Sequence, residues 1–166
     1  MNYYFRRIEL RDIDSIWSLI EILKEEKVDM SFTEIKSKED LKSFVDNPAQ
    51  LTYVAVTNED PIRVLCLVKG RRDISKEKSH AVFLSAATHP EARGFNLAAN
   101  LTNYALNEMK HQGITLARIY VYSNNEASLN AVKKLGFVYA GTVLRHHLDL
   151  VTGEYVDDII FHKILD

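Results

Sequence analysis

A single cysteine, three prolines and six glycines in 166 residues exclude several whole classes of protein. One thiol, Cys66, rules out an internal disulfide and a cysteine-built metal cage. Its place in the apolar run RVLCLV reads as a small core hydrophobe. No apolar run approaches the roughly 20 residues of a membrane-spanning helix, and the N-terminal MNYYFRRIEL lacks a signal-peptide core. A cytoplasmic location without membrane partners is therefore expected. Charge of one sign is lacking too. The 21 basic and 23 acidic side chains leave a net −2, so no global field draws in a polyanion and no nucleic-acid partner is expected. The six histidines have no regular metal-ligand spacing, so no metal is expected. Ser85 and Ser128 lack the glycines of a nucleophile elbow, which leaves serine hydrolysis unsupported.

What is present is the composition of a globular protein, 46% apolar and 27% charged. The length suits one domain over residues 1–166 with a sizeable core. YYFRRIEL is rich in aromatic and branched residues and predicts a first strand. Asp12 is placed to cap a helix whose apolar stripe is Ile13, Ile16, Trp17, Ile20 and Leu23. SKEDLKSFVDN predicts a second helix, with Ser37 and Asp40 close to a capping box. LTYVAVT and IRVLCLVKG are strands joined by a NEDP turn. The basic segment GRRDISKEKSH, with Arg71, Arg72, Lys76 and Lys78, reads as a solvated loop. HAVFLSAAT is a strand, and Leu97, Leu101, Tyr104, Ala105 and Met109 mark a helix ending near Gly113. TLARIYVYS, NEASLNAVKKLG and FVYAGTVLRHHLDL follow as strand, helix and strand. A turn at Thr152-Gly153 leads to a closing strand in EYVDDIIFHKIL. The order β-α-α-β-β-β-α-β-α-β-β is that of one mixed α/β domain.

The junction ATHPEARGFNLAANL carries more than a turn requires. The first amides of a helix have no intrahelical partner, and the macrodipole makes that end partly positive. Such an end takes phosphate readily. Gly94 carries no Cβ to hold a ligand off, Ala98 and Ala99 are small, and Arg93 brings a charge. The same junction fits an empty strand–helix connection, and its wider context separates the two.

HPEARGFNLAANL resembles the cofactor motif of the GNAT superfamily of N-acetyltransferases, V-x-P-x-x-R/Q-x-x-G-x-G/A. Pro90, Arg93 and Ala98 fall on its positions. Asn96 replaces the central glycine and tolerates unusual backbone angles better than most residues. NNEASLNAVKKLGFVYAG resembles the second motif of that superfamily at Asn125, Ser128, Val132, Lys134, Gly136, Phe137 and Gly141. The resemblance implies an α+β fold: a mixed, mostly antiparallel sheet of about seven strands flanked by about four helices. It implies a strand bulge whose opened edge, Ala86, Ala87 and Thr88, binds the pantetheine arm of acetyl-CoA. It places the pyrophosphate on the amides of Gly94, Phe95, Asn96, Leu97, Ala98 and Ala99, with Arg93, Asn125 and Asn130 nearby. The implied activity is transfer of acetyl from acetyl-CoA to a primary amine by direct attack on the thioester.

Base and acid are the open roles. The Tyr that many members use to protonate the thiolate falls on Val132, and the Glu of others falls on Tyr120, a poor base near neutral pH. The remaining candidates are Ser85, Tyr122, His146, His147 and the pair Asp157–Asp158, with Ser85, Tyr122, His146 and Asp157 retained as the catalytic set. Adjacent strand residues point to opposite faces, so at most one of His146 and His147 is expected to reach a cleft. The tail is similar to the branch that acetylates protein N-termini, including the ribosomal-protein alanine acetyltransferases, through Ser128, Val132, Gly153 and Asp157. Enzymes of the family acting on polyamines, amino acids or β-lysine share much of it, so the acceptor and the acyl-chain length stay open. Many relatives dimerise through their C-terminal strands, which implies a homodimer. The contrasting possibility is a GNAT-fold module that binds acyl-CoA or a regulatory ligand without turnover, to which Asn96, Val132 and Tyr120 belong as departures.

Overall fold

A computed structural model of the chain describes residues 2–27 and 31–166. Seven strands form one sheet: β1 (Tyr3–Arg7), β2 (Gln50–Thr57), β3 (Val64–Arg72), β4 (Ala81–Thr88), β5 (Leu116–Tyr122), β6 (Val138–Leu148) and β7 (Tyr155–Ile164). Their order across the sheet is β1-β2-β3-β4-β5-β7-β6. Every neighbouring pair is antiparallel except β4 and β5. That one parallel pair needs a crossover. It is supplied by α4 (Leu97–His111).

Strand alternation sends side chains to two faces. One face carries Leu51, Tyr53, Ala55, Val68, Val82 and Leu84 from the strands. Against them lie Leu97, Leu101, Ala105 and Met109 of α4 and Val132 of α5 (Glu126–Lys134). At Gly70 that packing admits no side chain, since a Cβ there would lie 2.5 Å from Met109 Cε and 2.7 Å from Val82 Cγ2. The other face, over β1 to β3, carries Val54, Val56, Val64 and Leu67. It is covered by Ile16, Leu19, Ile20 and Leu23 of α1 (Ile13–Glu25), together with Phe32, Leu41 and Phe44. Between the two, Leu65 is an extra residue in β3, since Ala55 pairs Cys66 while Val56 pairs Val64. Cys66 is fully buried in the first cluster, and burial pushes its thiol up to about 12. It is inert, as an apolar setting dictates.

SKEDLKSFVDN is helical as two short turns, α2 (Lys38–Leu41) and α3 (Ser43–Asp46), with Lys42 between them in helical backbone at φ −61° and ψ −31°, which puts Leu41 and Phe44 on one face toward the core. Three sequence expectations are corrected. Ser37 makes no side-chain cap bond. The first strand stops at Arg7, since Leu10–Asp12 forms a 3-10 turn.

Asp12 also does not cap α1 with its side chain. Its carboxylate is fully buried and takes three bonds: Arg6 Nη1 at 2.7 Å, Arg6 Nη2 at 2.8 Å and the Glu9 amide at 2.8 Å. Asp12 raises the guanidinium pKa of Arg6 further above its ordinary value. This fork ties β1 to the start of α1 with both carboxylate oxygens satisfied. Removing one partner leaves the other buried and unpaired, which costs about 3–5 kcal/mol. Asp12→Ala is therefore expected to lower unfolding stability by about that amount in urea denaturation, with most of the loss absent when Arg6→Met is made alongside it.

Candidate functional site

The site begins where β4 and β5 part. Their parallel pairing runs only from Ala81–Leu116 to Leu84–Ile119. Beyond it, Ser85 to Thr88 stay paired to β3 in unbroken register, and Tyr120 to Tyr122 stay paired to β7. The splay therefore comes without an inserted residue in the β3–β4 ladder. The peptide groups of β4 from Ser85 onward that point toward β5 have no strand partner on that side.

A cavity of about 470 Å³ occupies the opening, within the range of small-ligand sites. Its lining draws on both faces of the sheet. Leu84, Ala86, Ile119 and Val121 come from the helix-covered face, with Ala98, Ala99 and Thr102 of α4 and Ser128, Ala131 and Val132 of α5. Lys69, Arg71, Phe83, Ser85, Tyr120, Tyr122 and Asp158 come from the opposite face. A cavity lined from both sides of one sheet is a passage through it.

The loop before α4 has the backbone its residues allow. Gly94 sits at φ +86° with no neighbour within 4 Å of where a Cβ would stand. Asn96 is the residue before the helix, in the left-handed region at φ 55° and ψ 23°. That is the conformation a short amide side chain tolerates. The first helical bond is Asn100 N–H to Asn96 C=O at 3.0 Å. The amides of Leu97, Ala98 and Ala99 precede the ladder and have no hydrogen-bond partner among the described residues, an arrangement that suits an anion. The Leu97 side chain is buried core, so only its backbone belongs here. Phe95 is 55% exposed. Arg93 is turned to Glu26, 2.8 Å away.

At the second helix start, Asn125 Oδ1 accepts from Ser128 N–H at 3.1 Å, which caps α5, and Asn125 lines the cavity. Asn130 is exposed and outside the lining. On the β4 edge, Ala86 lines the cavity, Ala87 is buried in the α1-side cluster, and Thr88 Oγ1 lies 3.4 Å from Cys66 Sγ.

Among the catalytic candidates, Ser85 and Tyr122 line the cavity. Asp157 does not. Its carboxylate accepts from the Arg145 amide at 2.8 Å, which braces β6 against β7, and its own amide donates to Ser123 Oγ at 3.0 Å, which ties β7 to the end of β5. Asp158 is the carboxylate that reaches the cavity. Neither His146 nor His147 lines the cavity, but each lies beside a residue that does. Between Val143 and His147 the ladder slips by three residues against one, with Arg145 in the left-handed region at φ 50°. Alternation is broken there. The His147 ring lies 4.2 Å from that of Tyr122, and His146 Nε2 lies 3.7 Å from Asp158 Oδ2.

Sequence reading named Asp158 only within the pair Asp157–Asp158 and did not name Lys69, and both line the cavity. Lys69 lies with its ammonium 5.6 Å from the Phe32 ring centre and 4.7 Å from that of Phe44, and burial lowers its pKa. The choice between Asp157 and Asp158 rests on the β5–β7 register, which pairs Asp158 with Tyr122. That register is not local information.

The profile of the acetyltransferase (GNAT) family matches residues 16–137. The chain belongs to that family. No curated protein matches it by sequence. Among solved structures, the GNAT fold here is similar to smu.2055 of Streptococcus mutans, 21% identical with a TM-score of 0.82 over 98% of this chain and 99% of that one. It is equally similar to the ribosomal-protein-alanine N-acetyltransferase of Brucella melitensis, 16% identical with a TM-score of 0.83 over 98% and 99%. YncA of Salmonella typhimurium, solved with its cofactor acetyl-CoA, is 16% identical with a TM-score of 0.80 over 100% and 95%. At these identities the likeness carries the fold.

Asp158 is 3% exposed, and burial raises its pKa against the lowering influence of His146 and His147. A carboxyl whose folded pKa lies above its unfolded one costs stability as pH rises through that interval, and the cost persists at neutral pH. Asp158→Asn is accordingly expected to gain on the order of 1 kcal/mol at pH 7, about 2–4 °C in Tm. Thermal denaturation from pH 8 to pH 4 should show that gain shrinking toward the acid end.

Proposed function

We propose that this GNAT protein is an acetyl-CoA-dependent N-acetyltransferase acting on a primary amine. The observation that carries the reading is the passage through the sheet between β4 and β5, with a free helix start on one side and a separate polar face on the other. Ser85 to Thr88 offer the unpaired edge that suits the pantetheine arm, whose amides can add to it as a short strand. The amides of Leu97, Ala98 and Ala99, with Gly94 and Asn96 shaping the loop, suit the pyrophosphate. The cosubstrate supplies the activated thioester. The chain's part is to hold it and the amine in register, worth on the order of 7–11 kcal/mol. An edge amide aimed at the thioester oxygen adds roughly 2.7–4 kcal/mol. Val132 is buried against the cavity and brings no proton, so the leaving thiolate is protonated from water or from the amine itself.

Binding to the folded state alone raises stability by about 2.7 kcal/mol at a hundredfold excess over Kd. For a chain of this size that is roughly 5–11 °C in Tm. Acetyl-CoA is expected to give such a shift, dephospho-CoA a smaller one, and thiol release with an amine panel should follow. No shift at millimolar acetyl-CoA overturns the reading. Binding without thiol release for any amine favours the module that binds without turnover.

A cytoplasmic setting, where acetyl-CoA and free amines meet, belongs to the same reading. A homodimer does as well. The edge strand β6 leaves Val138, Tyr139, Val143, Leu144 and Leu148 exposed, an edge of the kind proteins cover. A second copy of the same edge is self-complementary. Sedimentation equilibrium is expected to show a dimer that Leu144→Lys weakens at least tenfold; a monomer at micromolar concentration counts against it.

A further inference from the structure

Two carboxylates are buried among the described residues, and they are treated in opposite ways. Asp12 is met by three hydrogen bonds. Asp158, whose side chain is 4% exposed, has Oδ1 without a hydrogen-bond partner among the described residues. Oδ2 has His146 Nε2 at 3.7 Å, outside hydrogen-bond reach. Buried polar atoms are almost always paired. An orphaned carboxylate oxygen in a cavity wall is a vacancy shaped for a donor that arrives from outside.

The neighbourhood narrows what that donor is. Asp158 is flanked by β5, where Tyr122 is its register partner, and by β6, where Val143 stands opposite and His146 and His147 bring the titratable groups. None of these is a permanent cation. A negative charge left in such a place is compensated best by a group carrying both positive charge and several N–H donors, which describes a primary ammonium. A hydroxyl would satisfy the oxygen and leave the charge.

Resting on the acetyltransferase reading, we propose that Asp158 is the catalytic residue that receives the acceptor's ammonium and takes its proton, with the His146 imidazole, 3.7 Å from Oδ2, as its electrostatic neighbour. The ammonium gives one proton to Asp158. The freed nitrogen lone pair then forms the N–C bond to the thioester carbonyl as the C–S bond breaks. The second nitrogen proton leaves with the sulfur as the free thiol. Asp158 returns its proton to water through the half-exposed His146 edge. The products are the acetamide, the thiol and one released proton. Burial, which makes this carboxyl a stronger base than an exposed one, works in the same direction.

The test is thiol release from acetyl-CoA between pH 5 and 9 with spermidine, lysine, glucosamine and an alanine-terminated peptide. Wild type, Asp158→Asn and His146→Gln are compared, with the acetyl-CoA thermal shift measured in parallel. Asp158→Asn is expected to keep the thermal shift, to lose 10²- to 10⁴-fold in kcat/KM and to lose the acid limb of the pH profile. His146→Gln, at a half-exposed position, should retain most turnover and move the acid limb to higher pH, since a cation that lowers the Asp158 pKa is gone. Wild-type turnover with an unchanged rate and acid limb in Asp158→Asn overturns the assignment and leaves the transferase reading standing. If Asp158→Asn does not fold, an unmoved acid limb in His146→Gln overturns it. Absence of any acetyl-CoA shift in wild type overturns the transferase reading, and the assignment falls with it.

Discussion

The rest of this structure depends on a ladder that stops early. β4 and β5 share only four register pairs before they diverge, although each keeps its other neighbour throughout. Two antiparallel half-sheets are thereby stitched at one end and open at the other. Parallel pairing is the slightly weaker kind per residue, so the opening falls at the junction where it costs least. Everything assigned to function lines that opening: a helix start on one face, an aromatic and charged surface on the other, and bare peptide groups along the edge between them. The helices α4 and α5 cover one face beside the gap. Without the early stop the cavity would be filled by continued pairing and the two faces would not communicate.

The contrast between Asp12 and Asp158 shows where this fold holds stability and where it forgoes it. Both lie under a twentieth exposed. Asp12 is fully satisfied and braces the first strand to the first helix. Asp158, a residue of the cavity wall, is left with a buried oxygen that has no hydrogen-bond partner among the described residues. Sites that give up stability for chemistry are common in enzymes, and an unsatisfied buried carboxylate amid otherwise well-paired groups is one of the clearer forms that concession takes. The neighbouring Asp157 has an ordinary structural part, which its sequence position gives no means of distinguishing.

β6 adds a second local departure with long-range effect. Three residues opposite one, with Arg145 turned left-handed, bring His146 toward Asp158 while His147 meets Tyr122. In a regular strand those two imidazoles would lie on opposite faces of the sheet. The slip sets both imidazoles of an edge strand beside cavity-lining residues, with Asp157 holding the bulged amide in place.

Much of this protein was legible in its sequence because the informative signals are local. The period of two in the strands, the stripe Leu97–Leu101–Ala105–Met109, the glycines at 113 and 136, and the paired motifs around Arg93 and Asn125 each depend on neighbours in the chain. So did the tolerance of Asn96 for a left-handed backbone. The tertiary structure alone decided the rest. Asp12 joined Arg6 because a charge carried into the core needs a fork of donors more than a helix needs a cap. Asp158 rather than Asp157 met the cavity because strand register, which is set across the sheet, decides which of two adjacent side chains faces inward.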